Sequence, residues 1–434
     1  MRAKANIMMA GCLVLTSWLA GCFNNQPAGK PAEPSVDLSQ PAELVFYSNS
    51  GDTVESFDDR FGNAIRKKFP QYKITYLQKT KGQTLDELMA ANAPIDIYWE
   101  SVGQFVSGLI KYKLEYDMTP LIQKNNVDLS RFEPTTIEAM KAISNGGMYG
   151  LPVSNNNMAL FYNKDIFDRF GVPYPKDGMT WDDVVELNKK LTRTDNGKAY
   201  LGFGMSNIHY FRLNSFSIPY VDPKTEKATI TDPRWKTIYE SAILRPAQLE
   251  GFQASIESRN LLPEADTMFW KDQTVAMYGY QSYLFVQKDL SNLNWDMVSY
   301  PTFKELPGVG SQSYPTYFSI TNTSKYKEQA MEVIKYLISV EFQTELSKKG
   351  IMTVLTDKNV QSVFGQAGYA KDKNLKSVFF NQFAPISPKT LYDAEAEKGF
   401  RAPLIPLAQG KKDINTAFRE IEESVAKTIA DMKK

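Results

Sequence analysis

Strand and helix segments alternate in the first part of this 434-residue chain, and this alternation limits the fold more than any other feature. The apolar runs 43–48, 72–77 and 95–99 predict strands, and the segments 57–69 and 85–91 between them predict helices. Such an order is typical of a parallel sheet with helices on both faces. The sequence therefore predicts an α/β fold.

Polar and aromatic side chains follow the carboxyl ends of these strands. Asn49 and Asp52 come after the first strand, and Trp99 and Glu100 stand at the end of the third. Ligands of parallel α/β sheets bind beyond the carboxyl ends of the strands. We therefore expect these four residues to lie near a ligand site.

Residues 145–192 carry an ordered series of short motifs. The motif residues are Gly147, Tyr149, Gly150, Leu151, Pro152, Leu160, Tyr162, Asn163, Lys164, Asp165, Phe167, Gly171, Val172, Pro175, Thr180, Trp181 and Asp182. Each motif alone is weak, but the ordered set is specific. It resembles the type 1 extracellular solute-binding proteins of bacterial ABC importers, the superfamily that includes maltose-binding protein.

This resemblance implies a two-lobed periplasmic-binding-protein-like fold of type II, with the ligand cleft between the lobes. Three interlobe crossings are then expected, near Val153, Met277 and Ser319. The implied N-terminal lobe comprises residues 43–152 and 277–318, and the C-terminal lobe comprises residues 153–276 and 319–434.

The same resemblance adds candidates for ligand binding around the crossings. Asn155 and Asn156 follow the first crossing, although a plain turn is the alternative for them. Tyr278 and Tyr280 come just beyond the short apolar strand 275–277, and Tyr314 lies in a later loop. With the lobe boundaries above, Tyr280 is expected on the rim of the N-terminal lobe.

Trp99 gives the sharpest hypothesis about the ligand. An indole at a strand end can stack on the apolar face of a sugar ring while Asn155 and Glu100 bond its hydroxyls. The alternative is that Trp99 packs inside its lobe. If Trp99 stacks on ligand, Trp99→Ala weakens binding by about 2 kcal/mol or more, as is usual for a central aromatic hot spot, and costs little stability.

The first 22 residues have the three parts of an export signal: basic residues, an apolar stretch, and small residues before a cleavage point. They end in the Leu-Ala-Gly-Cys pattern of bacterial lipoproteins. The sequence predicts a signal peptide over residues 1–21, a lipidated Cys22, and a flexible tether over residues 22–42. A transmembrane anchor is the alternative, but the apolar run is shorter than the ~20 residues a span needs.

Composition argues against several other classes of function. The net charge is +1, so no broad basic field favours nucleic acid. His209 is the only histidine, and both cysteines precede the folded part, which argues against a metal site. No nucleophile elbow and no phosphate-binding loop are present. The sequence therefore predicts a binding protein without metal or cofactor, and not an enzyme.

Sequence and resemblance together predict a monomeric, extracytoplasmic, lipid-anchored protein. It is expected to capture a sugar or oligosaccharide by hinge closure and to deliver it to the permease subunits of an ABC transporter. One alternative is the same fold with a non-sugar ligand, which buried charged contacts in the cleft would favour. The other is a lipid-anchored glycan hydrolase, in which Asp52 and Glu100 face each other across the cleft.

Overall fold

The computed structural model describes residues 37–264 and 267–434. The predicted signal peptide, Cys22 and the tether up to residue 36 lie outside the described residues. The end of the predicted tether belongs to the fold instead. The Tyr72 hydroxyl donates a hydrogen bond to the Leu38 carbonyl at 2.9 Å, and the first strand begins at Ala42.

The described residues form twelve strands in three sheets. The strands are β1 (Ala42–Tyr47), β2 (Tyr72–Leu77), β3 (Ile97–Ser101), β4 (Leu151–Ser154), β5 (Met158–Asn163), β6 (Arg193–Asp195), β7 (Lys198–Met205), β8 (Val275–Gln281), β9 (Trp295–Ser299), β10 (Val309–Gln312), β11 (Thr316–Ile320) and β12 (Gln382–Ala384).

Nineteen α-helices surround these sheets in the described part of the chain. They are α1 (Val54–Phe57), α2 (Asn63–Lys68), α3 (Leu85–Ala90), α4 (Val102–Phe105), α5 (Thr119–Lys124), α6 (Pro134–Ile143), α7 (Lys164–Phe170), α8 (Trp181–Leu191), α9 (Asn207–Arg212), α10 (Arg234–Tyr239), α11 (Glu250–Arg259), α12 (Thr267–Trp270), α13 (Leu284–Gln287), α14 (Lys327–Leu337), α15 (Val340–Lys348), α16 (Lys358–Ser362), α17 (Asp393–Arg401), α18 (Leu404–Ala408) and α19 (Ile414–Met432).

Short segments of wider or tighter helix continue several of these. The π-helical segments are Asp58–Gly62 between α1 and α2, Val106–Ile110 after α4, and Glu240–Leu244 after α10. The 3₁₀ segments are Leu129–Arg131, Pro246–Gln248 and Leu375–Phe379.

The first sheet has the order β2-β1-β3-β11-β4 and forms the centre of the first lobe. Strand β1 pairs in parallel with β2 and β3, as the alternation of strands and helices predicts, and β11 runs antiparallel between β3 and β4. The register of β11 places Phe318 opposite Trp99. The carboxyl end of β3 therefore faces the start of a strand that comes from much later in the chain.

The second sheet has the order β6-β7-β8-β5-β9 and forms the centre of the second lobe. This order corrects the predicted boundary at Met277, because Met277 pairs with Tyr162 of β5 and stays in the second lobe. Strand β8 lies between β7 and β5, and its residues 275–279 are all buried. A strand in the middle of a sheet cannot also cross to another lobe, so Tyr280 belongs to the second lobe as well.

Within residues 37–264 and 267–434, the chain crosses between the lobes three times, at residues 155–157, at residues 313–315 and after α15. Ser319, where a crossing was expected, pairs with Tyr98 inside the first sheet. The helices that follow also belong to the first lobe, since Phe342 of α15 packs on Phe61 with ring centroids 6.5 Å apart. The predicted assignment of residues 319–434 to one lobe is therefore wrong for its first thirty or so residues.

Helix termini in the sequence were largely readable. The Thr180 side chain accepts a hydrogen bond from the Asp183 N–H, and the Thr180 N–H donates one to the Asp183 carboxylate at 2.8 Å, which together form a capping box. Helix α14 ends at Leu337, and the Ser339 hydroxyl caps α15 directly after it. Among residues 37–264 and 267–434, none of the helices combines the length and apolarity needed to cross a membrane.

Candidate functional site

A cavity of about 360 Å³ lies between the two lobes. The first lobe contributes the end of β3 and the loop after β1, and the second lobe contributes the end of β8 and helix α9. The cavity wall is mostly polar. Seven of the residues expected from the sequence lie on this wall: Asp52, Trp99, Glu100, Asn155, Asn156, Tyr280 and Tyr314.

Two expected residues lie elsewhere. Asn49 is off the cavity wall, and its carbonyl accepts a hydrogen bond from the Lys79 ammonium at 3.1 Å. Tyr278 is fully buried in the second lobe, where its ring stacks on Phe269 and its hydroxyl donates to the Glu264 carbonyl at 2.7 Å. Side chains alternate along a strand, so Tyr278 and Tyr280 lie on the same face of the sheet. Only Tyr280, which is nearer the strand end, reaches the cavity.

Trp99 touches the cavity but is a core residue, 2% exposed. Its ring stacks on Phe318 with centroids 5.8 Å apart, and Phe57 lies at 6.2 Å in a near-parallel orientation. The Arg60 guanidinium lies 5.3 Å from the ring centroid. Because protein groups already cover the indole faces, the structure contradicts the expectation that a sugar ring stacks there.

A hydrogen-bonded chain of serines connects the two carboxylates of the first lobe. The Ser50 hydroxyl donates to Asp52, the hydroxyls of Ser48 and Ser50 are 2.7 Å apart, and the Ser48 hydroxyl donates to Glu100 at 3.4 Å. Asp52 and Glu100 thus stand on the same side of the cavity. The arrangement does not place two carboxylates on opposite sides of a sugar, which the hydrolase alternative requires.

Burial gives Glu100 an unusual proton affinity. The side chain is 1% exposed, and this loss of solvent raises the pKa of the Glu100 carboxyl to about 7. A hydrogen bond from the Ser101 N–H at 2.9 Å opposes the increase, while the negative charge of Asp52 adds to it. Near neutral pH the protein is therefore a mixture of two forms. Glu100 can donate a hydrogen bond in the protonated form and only accepts in the ionised form.

Asn155, Asn156 and Tyr314 join the crossings at the floor of the cavity. The Tyr314 N–H donates to the Asn156 carbonyl at 2.7 Å and also lies 3.1 Å from the Asn155 Oδ1. The Asn156 Oδ1 accepts from the Ser282 hydroxyl at 2.8 Å. The Asn155 Nδ2 is buried and has no hydrogen-bond partner among the described residues.

Arg212 is a cavity residue that the sequence did not reveal. Its Nε and Nη2 donate to the two Glu397 oxygens at 2.8 and 2.9 Å, and its Nη1 donates to the Tyr314 hydroxyl at 2.9 Å. The Tyr314 hydroxyl also lies 3.1 Å from the Ser101 Oγ in the first lobe. A Cβ on Gly103 would come within 2.5 Å of that hydroxyl, so this approach of the lobes requires glycine there.

His209 lies on the cavity wall, in the loop-helix region that follows β7. Burial, together with the nearby charges of Arg212 and Arg401, lowers the pKa of His209 to about 3, so the ring is neutral. Its Nδ1 is 2.7 Å from the Ser206 Oγ, and its ring meets Tyr280 edge-on at 5.2 Å. A neutral imidazole held in this way can bond a ligand hydroxyl. No group of histidine, cysteine or acidic side chains among residues 37–264 and 267–434 has the arrangement of a metal site.

A family model covers most of the chain. The model for bacterial extracellular solute-binding proteins matches residues 48–344, so this chain belongs to that family. The match confirms the resemblance that the motifs in residues 145–192 carry. It also indicates an extracytoplasmic location and a binding role for the family.

Solved structures share the same fold over nearly the whole chain. An ABC substrate-binding protein of Listeria monocytogenes, in complex with cycloalternan, has 18% identity and a TM-score of 0.69, over 90% of this chain and 100% of that one. A sugar transporter protein of Rhizobium etli in an open conformation has 17% identity and a TM-score of 0.69, over 89% and 99%. The sugar-binding protein MalE of Xanthomonas citri has 14% identity and a TM-score of 0.67, over 90% and 98%. This likeness confirms the two-lobed type II fold.

The raised pKa of Glu100 predicts a pH dependence of stability that Glu100→Gln removes. The folded pKa, about 7, exceeds the ordinary value of 4.5, so the folded protein binds the extra proton between these values. The resulting stabilisation is complete below about pH 4.5 and is lost as the pH rises through about 7, at up to about 1.4 kcal/mol per pH unit. Denaturant melts from pH 4.5 to 8 measure it.

The exposed variant Glu422→Gln on α19 is the control for this measurement, and its pH profile should follow the wild type. Parallel profiles of wild type and Glu100→Gln would contradict the assignment.

The burial of Trp99 predicts that Trp99→Ala lowers the free energy of unfolding by about 3–5 kcal/mol, the usual cost of truncating a core aromatic residue. Tyr280→Ala is the matched comparison, because the Tyr280 ring is only partly buried on the cavity wall, and its loss should be smaller. Denaturant melts of both variants measure the difference. An unchanged free energy of unfolding in Trp99→Ala would contradict the core role of Trp99 and favour ligand stacking instead.

Proposed function

We propose that this protein captures a sugar or oligosaccharide by hinge closure and delivers it to the permease of an ABC transporter. One observation carries the proposal: a polar cavity between two lobes, with walls supplied by both of them. Its volume of about 360 Å³ is within the range of small-ligand sites. A ligand there contacts both lobes only when they are close together.

The residues on the wall suit a polyhydroxylated ligand. Asp52 and Glu100 of the first lobe accept hydrogen bonds, and neutral His209 of the second lobe offers a ring nitrogen. Tyr280, partly buried beside His209, offers an aromatic surface in place of Trp99. Since each lobe supplies part of the contacts, ligand binds the closed form better than the open form and shifts the population towards it.

The relatives support a carbohydrate ligand. The Listeria protein was solved with cycloalternan, and the Xanthomonas protein is a sugar-binding protein. Their fold covers nine-tenths of this chain, including both lobes around the cavity. Together with the polar cavity between the lobes of this chain, these relatives make a sugar the first choice for this protein.

A non-sugar solute is the second candidate, because the cavity wall carries several charged groups. Asp52, Glu100, Arg60 and Arg212 all line it. Such groups can form ion pairs with a charged ligand, whereas the hydroxyl groups of a sugar need only hydrogen-bond partners. A ligand screen that includes organic acids and amino acids separates the two candidates.

The proposed location is the outer face of the cell membrane, through a lipid on Cys22. The family is extracellular, and the Leu-Ala-Gly-Cys pattern at residues 19–22 fits lipoprotein processing. Two acyl chains are enough for stable anchoring where a single chain is marginal. The chain from residue 23 to Leu38, where the fold begins, then supplies the tether.

Ligand capture predicts a ligand-dependent increase in thermal stability. A ligand that binds only the folded state at a hundred times its dissociation constant adds about 2.7 kcal/mol. A melting screen of mono- and oligosaccharides should therefore give a clear shift for the cognate class. Tyr280→Ala, which alters the cavity wall, should reduce the shift, and Glu422→Gln, far from the cavity on α19, should not. Shifts from non-sugar solutes alone would favour the second candidate.

The anchor predicts a processing defect in Cys22→Ala. Without the thiol no lipid can be attached, so the variant should remain an uncleaved precursor or leave the membrane fraction. Residues 38–434 do not include this position, so the variant should still fold. Membrane fractionation and mass spectrometry of the N-terminal peptide measure both effects. Wild-type processing of Cys22→Ala would refute the lipoprotein assignment.

A further inference from the structure

The cavity wall carries hydrogen-bond donors that protein groups leave unpaired. Three side chains on it contain a buried polar atom without a hydrogen-bond partner among the described residues: Arg60 through Nε, Trp99 through Nε1 and Asn155 through Nδ2. All three atoms are N–H donors. Burying an N–H donor without a partner is unfavourable, so these residues favour a ligand that brings a hydrogen-bond acceptor to them.

The carboxylates on the wall, Asp52 and Glu100, already accept hydrogen bonds from protein groups. Asp52 accepts from Ser50, Ser56 and Arg60, and Glu100 accepts from Ser48 and Ser101. The Asn155 Oδ1 accepts from two backbone N–H groups at 2.9 and 3.1 Å. A sugar hydroxyl needs an acceptor for its proton as well as a donor, whereas an oxyanion needs donors only.

Arg60 is the residue that distinguishes this cavity from a neutral one. Its side chain is 13% exposed, yet its one ionic contact with a described residue is a single Nη1–Asp52 distance of 3.3 Å. Arg212, on the other side of the cavity, instead forms a two-point pair with Glu397 at 2.8 and 2.9 Å. Arg212 therefore donates hydrogen bonds to protein acceptors from all three of its nitrogens, whereas Arg60 donates to Asp52 from one nitrogen only.

The position of Arg60 suits a ligand that enters between the lobes. The residue lies in the π-helical segment Asp58–Gly62 of the first lobe. Its guanidinium carbon lies 5.3 Å from the Trp99 ring centroid of the same lobe and 5.8 Å from that of Tyr283 in the second lobe. These neighbouring rings reduce the exposure of the guanidinium to water, and the side chain is 13% exposed. A held, desolvated guanidinium binds carboxylate and other oxyanions with two parallel hydrogen bonds.

We propose that Arg60 binds an anionic group of the ligand and that the captured carbohydrate is an acidic one, such as a uronic acid or an oligosaccharide containing it. The sugar part rests on the proposed function, and the anionic part rests on Arg60 alone. On binding, the oxyanion takes the N–H groups of Arg60 that Asp52 leaves unused. Asp52 stays satisfied, because Ser50 and Ser56 still donate to it.

Isothermal titration with matched probes tests this assignment. The probes are galacturonic acid and its disaccharide, the corresponding neutral galactose compounds, and citrate as an anion that is not a sugar. The variants are Arg60→Gln and Arg60→Lys, and the control is Arg66→Gln. Arg66 lies in α2 and pairs with Asp58 at 2.7 Å, away from the cavity wall.

The acidic sugar should bind at least tenfold more tightly than its neutral counterpart, and added salt should weaken it. Arg60→Gln should lose at least tenfold in affinity for the acidic sugar, and Arg60→Lys should lose less because it keeps the charge. Arg66→Gln should bind like the wild type. A melt of each variant shows that it is folded, and Arg60→Lys replaces Arg60→Gln if the latter is not.

Two results are contrary to the proposal in different ways. Equal affinity for the acidic and neutral sugars, unchanged in Arg60→Gln, would overturn the role of Arg60 and leave carbohydrate capture intact. Binding of citrate alone, lost in Arg60→Gln, would overturn carbohydrate capture and leave the anion site intact.

Discussion

The two lobes are held in register by hydrogen bonds of one residue, Asn155. Its N–H donates to the Met352 carbonyl at 2.9 Å, in the third crossing, and its side-chain oxygen accepts from the Tyr314 N–H in the second. Asn155 itself lies in the first crossing. All three connections between the lobes therefore meet at one residue, directly at the floor of the cavity. The hinge and the floor of the site are built from the same atoms, so a change of lobe angle necessarily changes the site.

The periodic features of the chain were readable from the sequence. Strand β2 has the predicted bounds, because its apolar residues repeat at the strand period. The wall residues at the carboxyl ends of strands β1 and β3 could also be predicted, since the rule that ligands bind beyond the carboxyl ends of parallel strands depends only on topology. The lobe boundaries expected at Met277 and Ser319 could not be predicted correctly from the sequence. Whether β8 pairs with β5 or with β3 depends on contacts across more than a hundred residues, and no local pattern encodes them.

The roles of individual large side chains depend on distant partners in the same way. Trp99 ends a strand, as a ligand-stacking residue would, but Phe318 comes from a strand more than two hundred residues later and covers its face. Arg60 is the opposite case, a residue that the sequence does not single out but that lines the cavity. A charged residue in a helical segment normally reads as part of a solvated face, and only the approach of Tyr283 from the second lobe makes it a cavity residue. Sequence alone thus overestimates aromatic contacts and misses buried cations.

The contacts between the lobes explain how a ligand can control their closure. A shift from 1% to 99% closed needs about 5.5 kcal/mol of differential affinity. Direct contacts such as Arg60 with Tyr283, or Arg212 through Tyr314 to Ser101, are polar or weakly cation–π, and each contributes on the order of 1 kcal/mol. A ligand that contacts both lobes in the closed form adds its own hydrogen bonds to these contacts and so shifts the population towards closure.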